Sequence, residues 1–216
     1  MKLPYLDRTS AGQALAAALG DYQGRDDLMV LALPRGGVPV ALEVCRVLKA
    51  PLDLMIVRKL GVPGHEELAM GAIASGGFRV INQDVVNYQR IGDEVIERVA
   101  EKEQAELQRR LRKYRGDKPW PSLADKCVIL VDDGIATGAT MQVAIKAVCA
   151  ESPSAVVVAV PVAPASTLHL LRQRVIDVVC PEVPQTFYAI GQFYVDFHQV
   201  SDEEMAGLMQ QASRLE

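Results

Sequence analysis

The sequence has no excess of positive charge: 23 Lys and Arg stand against 27 Asp and Glu, a net charge of −4 with a pI near 5.5. A dedicated nucleic-acid binder would carry a basic footprint, so that class is excluded; a local cationic pocket for a small polyanion is not. Cysteine is sparse as well. Cys45, Cys127, Cys149 and Cys180 show no zinc-pair spacing, and their mostly apolar neighbours predict buried, reduced thiols. Long apolar runs are missing: none approaches the roughly 18 residues that cross a bilayer. The opening Met-Lys-Leu-Pro-Tyr-Leu-Asp-Arg lacks the apolar stretch of a secretory signal. A cytoplasmic protein without a membrane partner is expected. There is no internal repeat or low-complexity segment.

What the chain does have is alternation. Half of its 216 residues are hydrophobic, enough to bury a sizeable core. Residues 10–19 read as a helix with Ser10 as its N-cap. Strands are predicted over 28–33, 52–57, 126–131, 155–160 and 175–179, and helices over 38–48, 139–150 and 167–174. Strands alternating with helices imply a mostly parallel twisted sheet with helices on both faces. Residues 58–77, rich in glycine, read as a loop containing a short strand over 68–74. Residues 93–115 differ in character, a long charged helix with a rough apolar stripe.

Three of the predicted strands end in unusual loops: Leu33-Pro-Arg-Gly-Gly37, Val57-Arg-Lys-Leu-Gly61 and Val131-Asp-Asp-Gly-Ile-Ala-Thr-Gly-Ala-Thr140. In an open parallel sheet ligands bind outside the carboxyl ends of the strands, so the three should converge. Asp132 and Asp133 stand at the tip of a buried strand, where carboxylates are costly unless they bind something. Behind them Thr137, Gly138, Ala139 and Thr140 enter a helix whose free amides and positive end suit an anion. Carboxylates for sugar hydroxyls and a helix end for phosphate describe a ribose 5-phosphate. The acids could instead only cap the helix. A hydrolytic acid/base pair fits less well, because neighbours in extended chain point to opposite sides.

The segment Val128–Thr140 resembles the phosphoribosyl pyrophosphate signature of type I phosphoribosyltransferases, departing from it at Gly134, where the family has an apolar residue. The resemblance implies that Asp132 and Asp133 hold the ribose hydroxyls and that Ala136, Thr137, Gly138, Ala139 and Thr140 hold the 5-phosphate. Pro34-Arg35-Gly36-Gly37 resembles the family's pyrophosphate loop, in which Arg35, Gly36 and Gly37 would receive the anion and the Pro34–Arg35 peptide is a candidate cis bond. Arg58-Lys59 resembles the pyrophosphate contacts of orotate and adenine members, and 61–71 a mobile catalytic loop carrying His65, Glu66 and Glu67. Of these, Arg58, Lys59, His65 and Glu67 are the catalytic candidates. His169 and His198 show no partner pattern and read as surface residues. Residues 181–216 resemble a C-terminal hood, with Phe187 or Tyr188 stacking on a base and Asp196 nearby.

Nearly the whole chain is similar to a bacterial group of phosphoribosyltransferase-domain proteins with no defined acceptor. One domain over 1–216 is expected, with a helical insertion at 82–122 serving as a cap or an oligomer contact. The implied partners are phosphoribosyl pyrophosphate and a small-molecule base, with Mg²⁺ held through pyrophosphate and ribose hydroxyls and no protein metal ligands. A homodimer is compatible. The implied reaction is nucleotide-salvage phosphoribosyl transfer to a nitrogenous base. The alternative is a non-catalytic regulator that senses phosphoribosyl pyrophosphate or a nucleotide.

Overall fold

The computed structural model describes residues 3–215. The chain forms two compact units, one from Met1–Met55 with Ser122–Glu216 and the other from Ile56–Pro121. The first opens with α1 (Arg8–Ala18). Its N-cap is Asp7, which accepts from the Ser10 amide, while Ser10 answers as the third residue of a capping box. The expected cap at Ser10 is thus three residues late: a serine followed by alanines looks like a cap, but the aspartate before it is the stronger acceptor. β1 (Leu28–Ala32), fully buried, leads through residues 33–36 into α2 (Gly37–Leu48) and then β2 (Leu52–Leu54).

The second unit begins where a single strand over 52–57 was expected. The parallel strand stops at Leu54, and β3 (Val57–Val62) starts an antiparallel sheet with β4 (His65–Ala74) and β5 (Arg79–Ile81). Residues 58–77 are therefore mainly a hairpin, not a loop. Its glycines are spent at a bulge, where the β3–β4 register slips around Gly61, and at close strand crossings. Met70 and Ala72 are buried on one face of β4 and Ile73 on the other, and Leu60 of β3 is buried as well. α3 (Gln83–Gln89) and α4 (Asp93–Arg115) complete this unit, and α4 lies as the charge pattern predicts. Ile96, Ala100 and Leu107 are its buried stripe, and it packs on β3 and β4.

The first unit resumes with β6 (Cys127–Val131), α5 (Ala139–Cys149), β7 (Ala155–Ala159), α6 (Ala165–Arg172), β8 (Asp177–Val179) and α7 (Asp202–Ala212). Five strands, all parallel, lie in the order β2-β1-β6-β7-β8 and are flanked by helices. Every residue of β1 and β6 is buried, as a strand covered on both faces requires. Of the four cysteines only Cys45 and Cys127 are buried; Cys180 is half-buried and Cys149 is exposed at the end of α5, against expectation. Among the described residues no helix is long and apolar enough to cross a membrane.

Candidate functional site

β1 and β6 end level, with Ala32 opposite Val131. From β1 the chain crosses outward to β2, and from β6 it crosses the other way to β7, so the strand order reverses between them. Such a switch point leaves a crevice that the flanking helices do not fill. The turn 33–37 and the loop 132–140 leave the sheet side by side at this place, tied by the Leu33 amide donating to the Val131 carbonyl at 2.8 Å.

The two segments are fitted to each other closely. A Cβ on Gly36 would lie 1.9 Å from Asp133 Oδ2, and one on Gly37 would lie 2.7 Å from the Val131 carbonyl oxygen. Glycine there is demanded first by the acids. The Pro34–Arg35 peptide is cis, the conformation that the resemblance suggested. Arg35 is half-buried, its guanidinium 3.7 Å from Asp202 Oδ1 at the start of α7.

Asp132 and Asp133 are not equivalent. Asp133 is buried, and its Oδ2 accepts from Arg8 Nε at 2.8 Å. Asp132 is half-buried, and its Oδ1 accepts from the Asp133 amide at 2.8 Å. Part of Asp132 meets solvent, and the rest of it lies in a dense surrounding of protein atoms. That surrounding, and then the neighbouring Asp133 charge, hold its carboxyl well above the usual carboxylate range. Burial also pushes Asp133 up, against the Arg8 guanidinium that pulls it down. The pair titrates as one system and keeps a proton longer than two free carboxylates would. An arrangement of this kind is poised to gain when hydroxyl donors arrive.

The rest of the loop is pinned from three elements. Ile135 donates its amide to the Val162 carbonyl at 3.1 Å, Thr167 Oγ1 donates to the Ala136 carbonyl at 2.6 Å, and Tyr194 donates its hydroxyl to the Asp133 carbonyl at 2.5 Å. Ala136, Thr137, Ala139 and Thr140 stay exposed around the buried N-cap Gly138, where the first-turn amides of α5 lack helical partners. Gly134, the departure from the family pattern, faces Ile190: a Cβ there would lie 2.6 Å from Ile190 Cγ2. Ile190 of the C-terminal segment and Val162 fill the space that a side chain at 134 would take.

Three of these residues, Arg8, Thr167 and Tyr194, were not among the site candidates read from the sequence. Thr167 is one hydroxyl at the start of an otherwise ordinary helix. Thr167→Val should destabilise the protein by about 1–2 kcal/mol by stranding the Ala136 carbonyl, as read from urea unfolding, whereas Thr167→Ser keeps the donor and should lie near wild type. Equal stability of the Val and Ser variants would remove this anchoring role.

The second unit holds the remaining candidates. Arg58 and Lys59 fall inside β3, not in a loop ending a parallel strand as expected. Arg58 is paired with Glu103 of α4, which accepts at 2.8 Å from Nε and 2.5 Å from Nη2. Lys59, His65 and Glu67 are exposed, the latter two at the start of β4. In the hood, Phe187 packs on Phe193 with ring centroids 5.0 Å apart, inside a cluster with Tyr5, Val162 and Tyr194. Tyr188 is 86% exposed. His198 is exposed but not partnerless, contrary to expectation: Asp196 and Glu204 each lie 2.9 Å from its ring nitrogens and raise its pKa, Glu204 the more.

Comparison with known proteins agrees with this geometry. The model of the phosphoribosyl transferase domain matches residues 8–198. The chain belongs to the type I phosphoribosyltransferase family. It is 43% identical over 214 residues to a Mycobacterium tuberculosis protein named "putative phosphoribosyl transferase", found in strains H37Rv and CDC 1551, covering 99% of this chain and 48% of that protein. The chain thus spans about half the length of the curated relatives it matches. Among solved structures, TT1426 from Thermus thermophilus is 42% identical, with a TM-score of 0.81 over 97% of this chain and 98% of that one.

Proposed function

We propose that this chain transfers the phosphoribosyl group of phosphoribosyl pyrophosphate to the nitrogen of a base, releasing pyrophosphate. The observation that carries this reading is the pairing, at the switch point, of two acids held above their usual range with an open helix N-terminus. Acids accept from ribose hydroxyls; the exposed loop 136–140 receives the 5-phosphate; Arg35 and the glycine turn face the pyrophosphate. No nucleophilic side chain is required, since the acceptor nitrogen attacks the anomeric carbon as the carbon–oxygen bond to pyrophosphate breaks. On the resemblance alone, Arg58 and Lys59 are assigned to the leaving pyrophosphate, and His65 and Glu67 to the mobile catalytic segment.

The family reading brings Mg²⁺ with it. Among the described residues no three of His, Cys, Asp and Glu are grouped to hold a metal, and an oxygen-seeking cation is well served by pyrophosphate and ribose oxygens, with Asp132 and Asp133 acting on the hydroxyls. When bound, it would neutralise charge developing on the leaving group.

Pyrophosphate release from phosphoribosyl pyrophosphate, assayed across a panel of nitrogenous bases, tests the proposal. Turnover with at least one base is expected. Binding of phosphoribosyl pyrophosphate with Mg²⁺ but no turnover with any base would replace transfer by ligand sensing.

A further inference from the structure

Resting on that reading, we infer that Arg8 is a positioning residue for the ribose-binding pair, acting through Asp133. Arg8 is the first residue of α1 and is 9% exposed, a rare state for a guanidinium. Its Nε donates to Asp133 Oδ2 at 2.8 Å, its Nη1 donates to the His198 carbonyl at 2.7 Å, and its guanidinium lies 4.1 Å from the centroid of the Phe197 ring. Three separate stretches of chain therefore meet on one side chain: the N-terminal helix, the strand-end loop and the C-terminal segment.

The geometry around Asp133 shows what Arg8 decides. Its Oδ2 sits where Gly36 lacks a side chain, and its backbone carbonyl is held by Tyr194. Arg8 supplies the remaining constraint, so the carboxylate is set before any ligand arrives; such preorganisation spares the binding step the cost of ordering it. Arg8 takes Oδ2, and the Asp132 side chain interacts with the same carboxyl group, so the fixed orientation of Asp133 is passed to both acids of the pair. The charged groups facing Asp133 are Arg8 from α1 and Asp132 beside it, with the Tyr194 hydroxyl from the C-terminal segment. Arg8 is thus the cation of this cluster. Its planar fork spans two acceptors at once, which a lysine ammonium on a flexible stem does not do.

A double-mutant cycle separates positioning from mere structural support. Calorimetry with phosphoribosyl pyrophosphate and Mg²⁺ would be run on wild type, Arg8→Gln, Arg8→Lys, Asp133→Asn and the Arg8/Asp133 double variants, each first shown by thermal melting to be folded. Asp133→Asn keeps an accepting oxygen, so binding remains measurable. Arg8→Gln is expected to weaken binding about tenfold in the wild-type background but by less than about twofold beside Asp133→Asn, because a residue that acts through Asp133 has nothing left to act on. Arg8→Lys should recover part of the loss. If Arg8→Gln does not fold, the same cycle is read with Arg8→Lys, whose residual loss should vanish beside Asp133→Asn. Equal losses in both backgrounds, or no recovery with Lys, overturn the inference. Absence of binding by wild type is a different result: it fells the phosphoribosyl reading itself, and this role with it.

Discussion

Gly36→Ala is expected to destabilise the protein by about 3 kcal/mol and to abolish the rise in melting temperature produced by phosphoribosyl pyrophosphate with Mg²⁺. The added methyl would lie 1.9 Å from Asp133 Oδ2 and 3.2 Å from Arg8 Nε. A flexible carboxylate could swing aside at little cost, but this one is held by Arg8 at 2.8 Å, and moving it separates a buried ion pair. The backbone offers no objection of its own: Gly36 sits at φ −62° and ψ −33°, where alanine is comfortable. Any loss therefore measures the clash alone. Gly207, inside the exposed face of α7 with nothing within 4 Å of an added Cβ, is the matched control. Gly207→Ala should stabilise by about 0.5–1 kcal/mol through helix propensity. Urea unfolding of both variants gives the comparison, and a Gly36→Ala protein within about 0.5 kcal/mol of wild type would show that the strand-end packing is looser than drawn.

Gly36 also shows how the sequence could be right about a residue for an incomplete reason. Arg-Gly-Gly after a buried strand reads as an anion turn, and the pair of acids reads as a sugar site; that the glycines exist to admit the acids requires both segments in space. The parallel core was legible because its strands are short uninterrupted apolar runs, and a run such as Cys127–Val131 has few other ways to fold. The hairpin Val57–Ala74 was not. Its glycines look like loop residues in one dimension and become a bulge and close crossings only once β3 and β4 pair. α7 escaped although Ser201-Asp-Glu-Glu204 spells a capping box, which the structure forms in both directions: the aromatic residues before it drew the reading toward a base-stacking hood. Of the two stacking candidates, Phe187 packs on Phe193 and Tyr188 is exposed. Arg8 lies more than a hundred residues from Asp133 in sequence, and no local pattern encodes such a contact.

Asp132→Asn should make the ligand-free protein more stable at neutral pH and weaken its response to phosphoribosyl pyrophosphate. The direction follows from proton linkage. In the folded state the Asp132 carboxyl titrates above its ordinary range, through burial first and the Asp133 charge second. Between the ordinary range and that raised value the folded protein binds more protons than the unfolded chain, so stability falls as pH rises through this window and stays lower above it. Below the ordinary carboxylate range both states are protonated and the term vanishes. Asparagine cannot ionise, yet its oxygen can still accept from the Asp133 amide, so the substitution removes the charge and spares the hydrogen bond. A rise in melting temperature of about 2–4 °C, about 1 kcal/mol for a chain of this size, is expected at pH 7, shrinking toward zero near pH 4. Wild type, by contrast, should be stabilised by ligand through mass action. A site that holds charge at a cost to its own stability and recovers it on binding is what a ligand-receiving acid should be. A buried acid that merely caps α5 would give the opposite pair of results: a variant less stable at pH 7, with its ligand response intact.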